Sequence, residues 1–137
     1  MRTELQTAAN AATAAKVDAE LEVLAAERRE FLLRQKILAA DRALRDAKQH
    51  EAEASQALLA IPEAKRSTAV GRAARMQHRA ALKASETAQA AADALAEHEK
   101  FATFATQSAR ERSAAAWAAE QKALAALEAH MQAPATV

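Results

Sequence analysis

The chain has 137 residues, 51% hydrophobic and only 3% aromatic, with no Cys. Its net charge of +1, from 19 basic and 18 acidic residues, is too balanced for a dedicated nucleic-acid binder, which is clearly basic, or for an acidic disordered tail. Without Cys there is no disulfide framework, thiolate metal site or thiol nucleophile.

Roughly a third of the residues are Ala, the strongest helix former because its side chain loses no rotamer entropy and buries no polar atom. Together with abundant Glu, Lys, Arg and Leu, this is the composition of long helices or coiled coils. A globular core needs several large, interlocked apolar residues per element, and here most of the hydrophobic fraction is methyl groups. The first residues, MRTELQTAANAATAAKVDAE, carry charge at Lys16 and Asp18 and lack the continuous apolar run of a secretory signal. No stretch of about 20 uncharged apolar residues exists to span a membrane. The expectation is a cytoplasmic protein without a membrane span.

Residues 3–60 contain neither Gly nor Pro, and their periodicity predicts one helix. Every seventh residue from Leu5 reads Leu5, Ala12, Ala19, Ala26, Leu33, Ala40, Ala47, Ala54, Ile61, the apolar line of a heptad seam. Four residues further on run Ala9, Val23, Ile37, Leu44 and Leu58, with Lys16, Glu30 and Glu51 expected to interrupt them. A hinge follows over about 61–71, where the chain keeps its only Gly, Gly71, and one of its two Pro, Pro62. Pro62 cannot continue a helical hydrogen-bond ladder, and Gly71 is expected to supply the backbone freedom of a reversal. Ser67 and Thr68 read as residues that stabilise a local turn.

The second helix is expected over about 72–132. Its apolar line is Ala74, Ala81, Ala88, Leu95, Ala102, Ala109, Ala116, Ala123, with an expected companion line Gln77, Ala84, Ala91, His98, Ala105, Arg112, Ala119, Ala126. Folding back at the hinge sets Ile61 against Ala74, Ala40 against Leu95 and Leu33 against Ala102, large facing small, as interdigitating layers require. The fold class is therefore all-α, a long antiparallel two-helix coiled-coil hairpin with an Ala-rich seam, in one domain over 1–137. A three-helix bundle, with a second break in KFATFATQSARER around Thr103, Thr106 and Ser108, is the alternative. The final QAPATV is expected to fray.

An Ala seam buries little area, whereas a fully buried Leu or Phe contributes about 1.5–3 kcal/mol. The large residues off the seam therefore define a candidate partner or oligomer face: Val17, Leu21, Leu24, Phe31 and Leu38, joined in the folded-back register by Phe101 and Phe104. Trp117 and Leu124 form a smaller group nearer the termini. Such a stripe calls for a partner, which is a second copy, a heterologous protein or a third helix folding over it. At the hinge end Lys65, Arg66, Arg72, Arg75, Arg79 and Lys83 outnumber Glu63 and Glu86. They read either as a solvated loop or as an electropositive tip for an acidic protein surface and, less favourably, phosphates.

No catalytic constellation is legible. One Gly cannot build a phosphate loop, and no Ser sits in a nucleophile elbow. His50, His78, His98 and His130 are too scattered for metal-ligand spacing, and EHE around His98 reads as surface. Aromatics are too few to stack bases. The expectation is a protein that is not an enzyme and carries no cofactor.

Length, periodicity, central turn and basic tip together resemble the ATPase stalk family of type III secretion and flagellar export (FliJ/YscO-like). The resemblance covers the whole chain without an anchoring motif, so no functional residue carries over. It implies a coiled coil inserted into the central pore of a hexameric secretion ATPase, touching the export gate or escort chaperones. The function expected is a coiled-coil adaptor or stalk. The alternatives are a self-assembling structural or scaffold protein, such as a virion component, and a nucleic-acid-associated protein acting through the basic hinge end.

Overall fold

A computed structural model of the chain describes residues 1–133. Two helices, α1 over Arg2–Leu59 and α2 over Ala69–Gln132, flank a short 3-10 turn at Glu63–Lys65. They pack against each other as an all-α helical hairpin. The second break weighed around Thr103–Ser108 does not occur, and α2 runs through it unbroken. Pro134–Val137, the last part of the tail expected to fray, lie outside the described residues. No helix among the described residues is long and apolar enough to cross a membrane.

The reversal is built differently from the expectation. The helical ladder of α1 ends with Ala60 N–H donating to Gln56 O and Ile61 N–H to Leu58 O, because Pro62 has no N–H to offer and steers its predecessor away from helical geometry. Pro62 itself is extended, at φ −57° and ψ 141°. Lys65 N–H then donates to Pro62 O, Arg66 N–H to Glu63 O and Thr68 N–H to Lys65 O. The Thr68 hydroxyl also donates to Lys65 O, and Thr68 O accepts the first bond of α2 from Arg72 N–H. Neither a glycine nor any other described residue has positive φ, so Gly71 is not a flexible joint. It lies inside α2, buried, and a Cβ at this position would run into the backbone carbonyl of Arg66, far inside the 3.0 Å that real Cβ atoms keep. The requirement there is for close approach, a steric demand that only Gly meets.

Along α1 the expected line from Leu5 to Ile61 and the line from Ala9 to Leu58 are all buried or half-buried. Lys16, Glu30 and Glu51 do not leave the seam but take their places in it. Along α2 the line from Ala74 to Ala123 faces the seam, while the companion line is corrected. Gln77, Ala84, Ala91, His98, Ala105, Arg112, Ala119 and Ala126 are all exposed. The second row is instead His78, Ser85, Ala92, Glu99, Thr106, Ser113, Glu120 and Leu127. Rows three and four residues away both lie near a heptad line. Here the apolar row points outward and the polar row inward, the reverse of what composition favours.

The chain packs as two compact units, Met1–Phe31 with the chain from Phe101 on, and Leu32–Lys100. The first holds the buried apolar residues Ala9, Ala19, Ala26, Ala109 and Leu127, with Glu30, Thr106 and Glu120 beside them. In the second, Leu33, Ile37, Ala40, Leu44, Leu58, Ile61, Ala74 and Leu95 are half-buried, and Gly71 and Ser85 are buried.

Candidate protein-interaction surfaces

In the first unit polar contacts across the seam define its two flanks. On one flank Arg110 Nη2 lies 3.1 Å from Glu27 Oε1. On the other Arg112 Nε lies 3.3 Å from Glu22 Oε2. Between them Lys16 Nζ reaches Glu120 Oε1 at 3.1 Å, and the Thr103 hydroxyl donates to Glu30 Oε1 at 3.4 Å. Each pair falls within two residues of the register that sets Leu33 against Ala102. The Glu120 carboxyl is held below its ordinary value of 4.5, first by a hydrogen bond with Thr13 and then by Lys16, against the opposing effect of burial. The Thr106 hydroxyl is satisfied by Ala102 O at 3.0 Å. Polar seam residues are thus supplied with partners, as burial demands.

The large apolar residues expected to form one face divide between flanks. Leu24 and Phe31 stand three residues before and four after Glu27, and so beside it, with Val17 one heptad before Leu24. Trp117 and Leu124 follow Arg110 by one and two heptads and extend its line on this same flank. Phe104 instead borders a groove of about 560 Å³ on the opposite flank, with Glu22, Arg29 and Arg112 and a floor that includes Ala26 and Ala109. Phe101, three residues before Phe104, is similarly exposed. Phe31 and Phe104 therefore share a height but not a face. Leu21 points outward between the flanks, and Leu38 belongs to the second unit. The grouping of Trp117 with Leu24 and Phe31 was missed because their shared side appears only once the ion pairs fix the flanks.

At the hinge end the six basic residues also divide. Arg66 is half-buried; its Nε donates to Ile61 O at 3.2 Å, and its carbonyl accepts from Arg75 Nη2. These two guanidinium groups tie the turn, a role distinct from the expected tip. Lys65, Arg72, Arg79 and Lys83 are exposed. Arg72, Arg79 and Lys83 follow one another at spacings of seven and four, which makes a stripe along the outer side of α2. The second unit also carries a groove of about 630 Å³, lined by half-buried Ala47 and Ala88 and by exposed Ala43, Ala84 and Ala91, with Lys83 and Thr87 among its other lining residues.

Among the described residues no three His, Asp or Glu side chains are grouped to hold a metal ion. His50 meets Glu53 one turn on at 3.7 Å, and His98 is exposed. No family model, curated protein or solved structure matches this chain.

Proposed function

We propose that the chain is a cytoplasmic, non-enzymatic coiled-coil adaptor whose work is to bind other proteins. The observation that carries this reading is the distribution of side chains. The seam takes mostly methyl groups, while Leu24, Phe31, Phe104 and Trp117 stay more than half exposed. Exposed apolar side chains this large, set among polar residues on both flanks, are the kind of surface that partner proteins cover. The stripe of Arg72, Arg79 and Lys83 offers an acidic protein surface a complementary charge, which favours rapid, specific encounter. Length, heptad periodicity and the central turn favour the stalk of a type III secretion ATPase as the particular adaptor.

Affinity capture of the tagged full chain from its native host lysate, at low and moderate salt, with mass spectrometry of what is retained, tests this. Secretion ATPase or export subunits support the stalk. Recovery of scaffold or shell proteins, or of this chain by itself, favours the structural alternative. Retained nucleic acid, lost steeply with salt through counterion release, overturns the protein-binding reading. Changing Arg72, Arg79 and Lys83 together to Glu is expected to abolish capture through the stripe while leaving helicity intact.

A further inference from the structure

We infer that the layer of Lys16, Glu120 and Thr13 is a catch, which holds the first unit in one of several registers that its apolar seam accepts. This inference stands apart from the adaptor reading and uses neither the exposed apolar side chains nor the charged stripe.

The first line of the seam carries no register information. It runs Ala12, Ala19 and Ala26 on α1 against Ala102, Ala109, Ala116 and Ala123 on α2. Sliding α2 by seven residues replaces each Ala on this line with another Ala, so neither shape nor buried area opposes the step. Repeated identical layers leave pairing weakly specified unless another feature breaks the repeat.

The second line breaks it. On α1 this line reads Ala9, Lys16, Val23 and Glu30, and on α2 Thr106, Ser113, Glu120 and Leu127. Lys16 Nζ lies 3.1 Å from Glu120 Oε1, and the Thr13 hydroxyl donates to the same carboxylate. One heptad nearer the termini, Ala9 stands level with Leu127, and both are buried. A slide of one heptad in one direction sets Glu120 against Val23 and Lys16 against Leu127. In the other direction Glu120 meets Ala9 and Lys16 meets Ser113. Either step strips a buried carboxylate of its cation, and an uncompensated buried charge is strongly destabilising. The pairs of Glu22 with Arg112 and Glu27 with Arg110 break as well, but their side chains are 42–63% exposed and contribute little. Fixing register is the best-attested use of a polar layer in a coiled coil.

The chain has no Cys, so introduced pairs report the register directly. Ala19→Cys is combined with Ala116→Cys for the observed register, and with Ala109→Cys or Ala123→Cys for the two slides. Seven helical residues span about 10 Å, whereas a disulfide needs Cα atoms within about 7 Å, so each pair reads one register. In a glutathione redox buffer, with the full chain dilute, the combination of 19 with 116 is expected to form its disulfide at least about 100-fold more favourably than either other. Adding Lys16→Ala and Glu120→Ala extends the Ala seam through this layer. That should bring the ratio below about 10-fold with the helical circular dichroism retained. Lys16→Glu with Glu120→Lys rebuilds the pair in reverse and should restore the single register. Exclusive cross-linking of 19 to 116 in the double-Ala variant overturns the proposal, because Leu127 or the turn then sets the register. Loss of the helical signal in that variant overturns it too, since the layer would then hold the fold itself. So does slippage in the charge-reversed variant with its helicity intact, or a parent chain that cross-links preferentially at 109 or 123.

Discussion

In the first unit the seam residues Ala9, Ala19, Ala26 and Ala109 are buried and accompanied by the pairs of Lys16 with Glu120, Glu27 with Arg110 and Glu22 with Arg112. In the second unit the seam contains Leu33, Ile37, Leu44, Leu58, Ile61 and Leu95, and all of these remain half-exposed. The first unit buries its seam more completely whatever the side-chain size, since Glu30, Glu120 and Leu127 are buried there while Ala40, Ala47, Ala74, Ala81 and Ala88 of the second unit are only half-buried. A two-helix layer offers each residue only one neighbouring helix for cover. In the first unit methyl groups and longer side chains alike find that cover, whereas in the second both keep an exposed edge. The first unit therefore resists enlargement, and the second depends on the part of each large side chain that it does cover.

Substitutions of opposite sense separate the two. Ala109→Leu, at a site only 2% exposed, is expected to cost about 3 kcal/mol through overpacking, measured by urea denaturation. Ala88→Leu, half-buried in the second unit, should cost less than about 1 kcal/mol. Equal costs would break the comparison. Gly71→Ala should lower stability by about 2 kcal/mol, since the new methyl meets backbone, which cannot yield as a side chain tip can. Leu44→Ala should cost about 1–2 kcal/mol, at or below the low end for buried Leu because its side chain is only half covered. A larger loss would mean that the second unit packs more completely than its exposure implies.

The smallest expected effect is a pH dependence confined to the first unit. Glu120 has a depressed folded pKa, set by Thr13 and Lys16. Its contribution to stability is therefore whole above the ordinary value of 4.5 and is lost as pH falls through the lower folded value. Glu120→Gln should remove this acid-limb component from a series of thermal melts and lower the melting temperature at neutral pH. If the acid limb keeps its amplitude in the variant, other carboxylates account for it.

Much of the fold was legible because heptad spacing reports which residues share a line irrespective of chemistry. Leu5 to Ile61 and Ala74 to Ala123 could be read directly. The second row of α2 could not, because Ala84, Ala91, Ala105, Ala119 and Ala126 made the outward row look like core, while Ser85, Thr106 and Glu120 disguised the inward one. Pairing across the seam supplies Glu120 with Thr13 and Lys16, and although the expected register set Lys16 at this height, taking Ala119 for the seam residue left Glu120 outside it. The same ignorance joined Phe31 to Phe104 and kept Trp117 apart, since height along a hairpin follows from counting but the flank does not. At the hinge, Arg66 and Arg75 counted as charges in the sequence and serve as hydrogen-bond donors to carbonyls in the structure.

The reversal between α1 and α2 contains no residue in a left-handed conformation. Most tight connections constrain their own spelling, because one or more positions tolerate little besides Gly or Asn. Here Glu63, Ala64 and Ser67 stand at positions whose backbone any L-amino acid adopts, and the demanding letter lies beyond the connection, at Gly71. In a library randomised from 63 to 71 and sorted for folded chains, variation should collect in the visible bend. The invariant position should be inside the helix that follows, where a homologue or a designer reading the loop alone would not look for it.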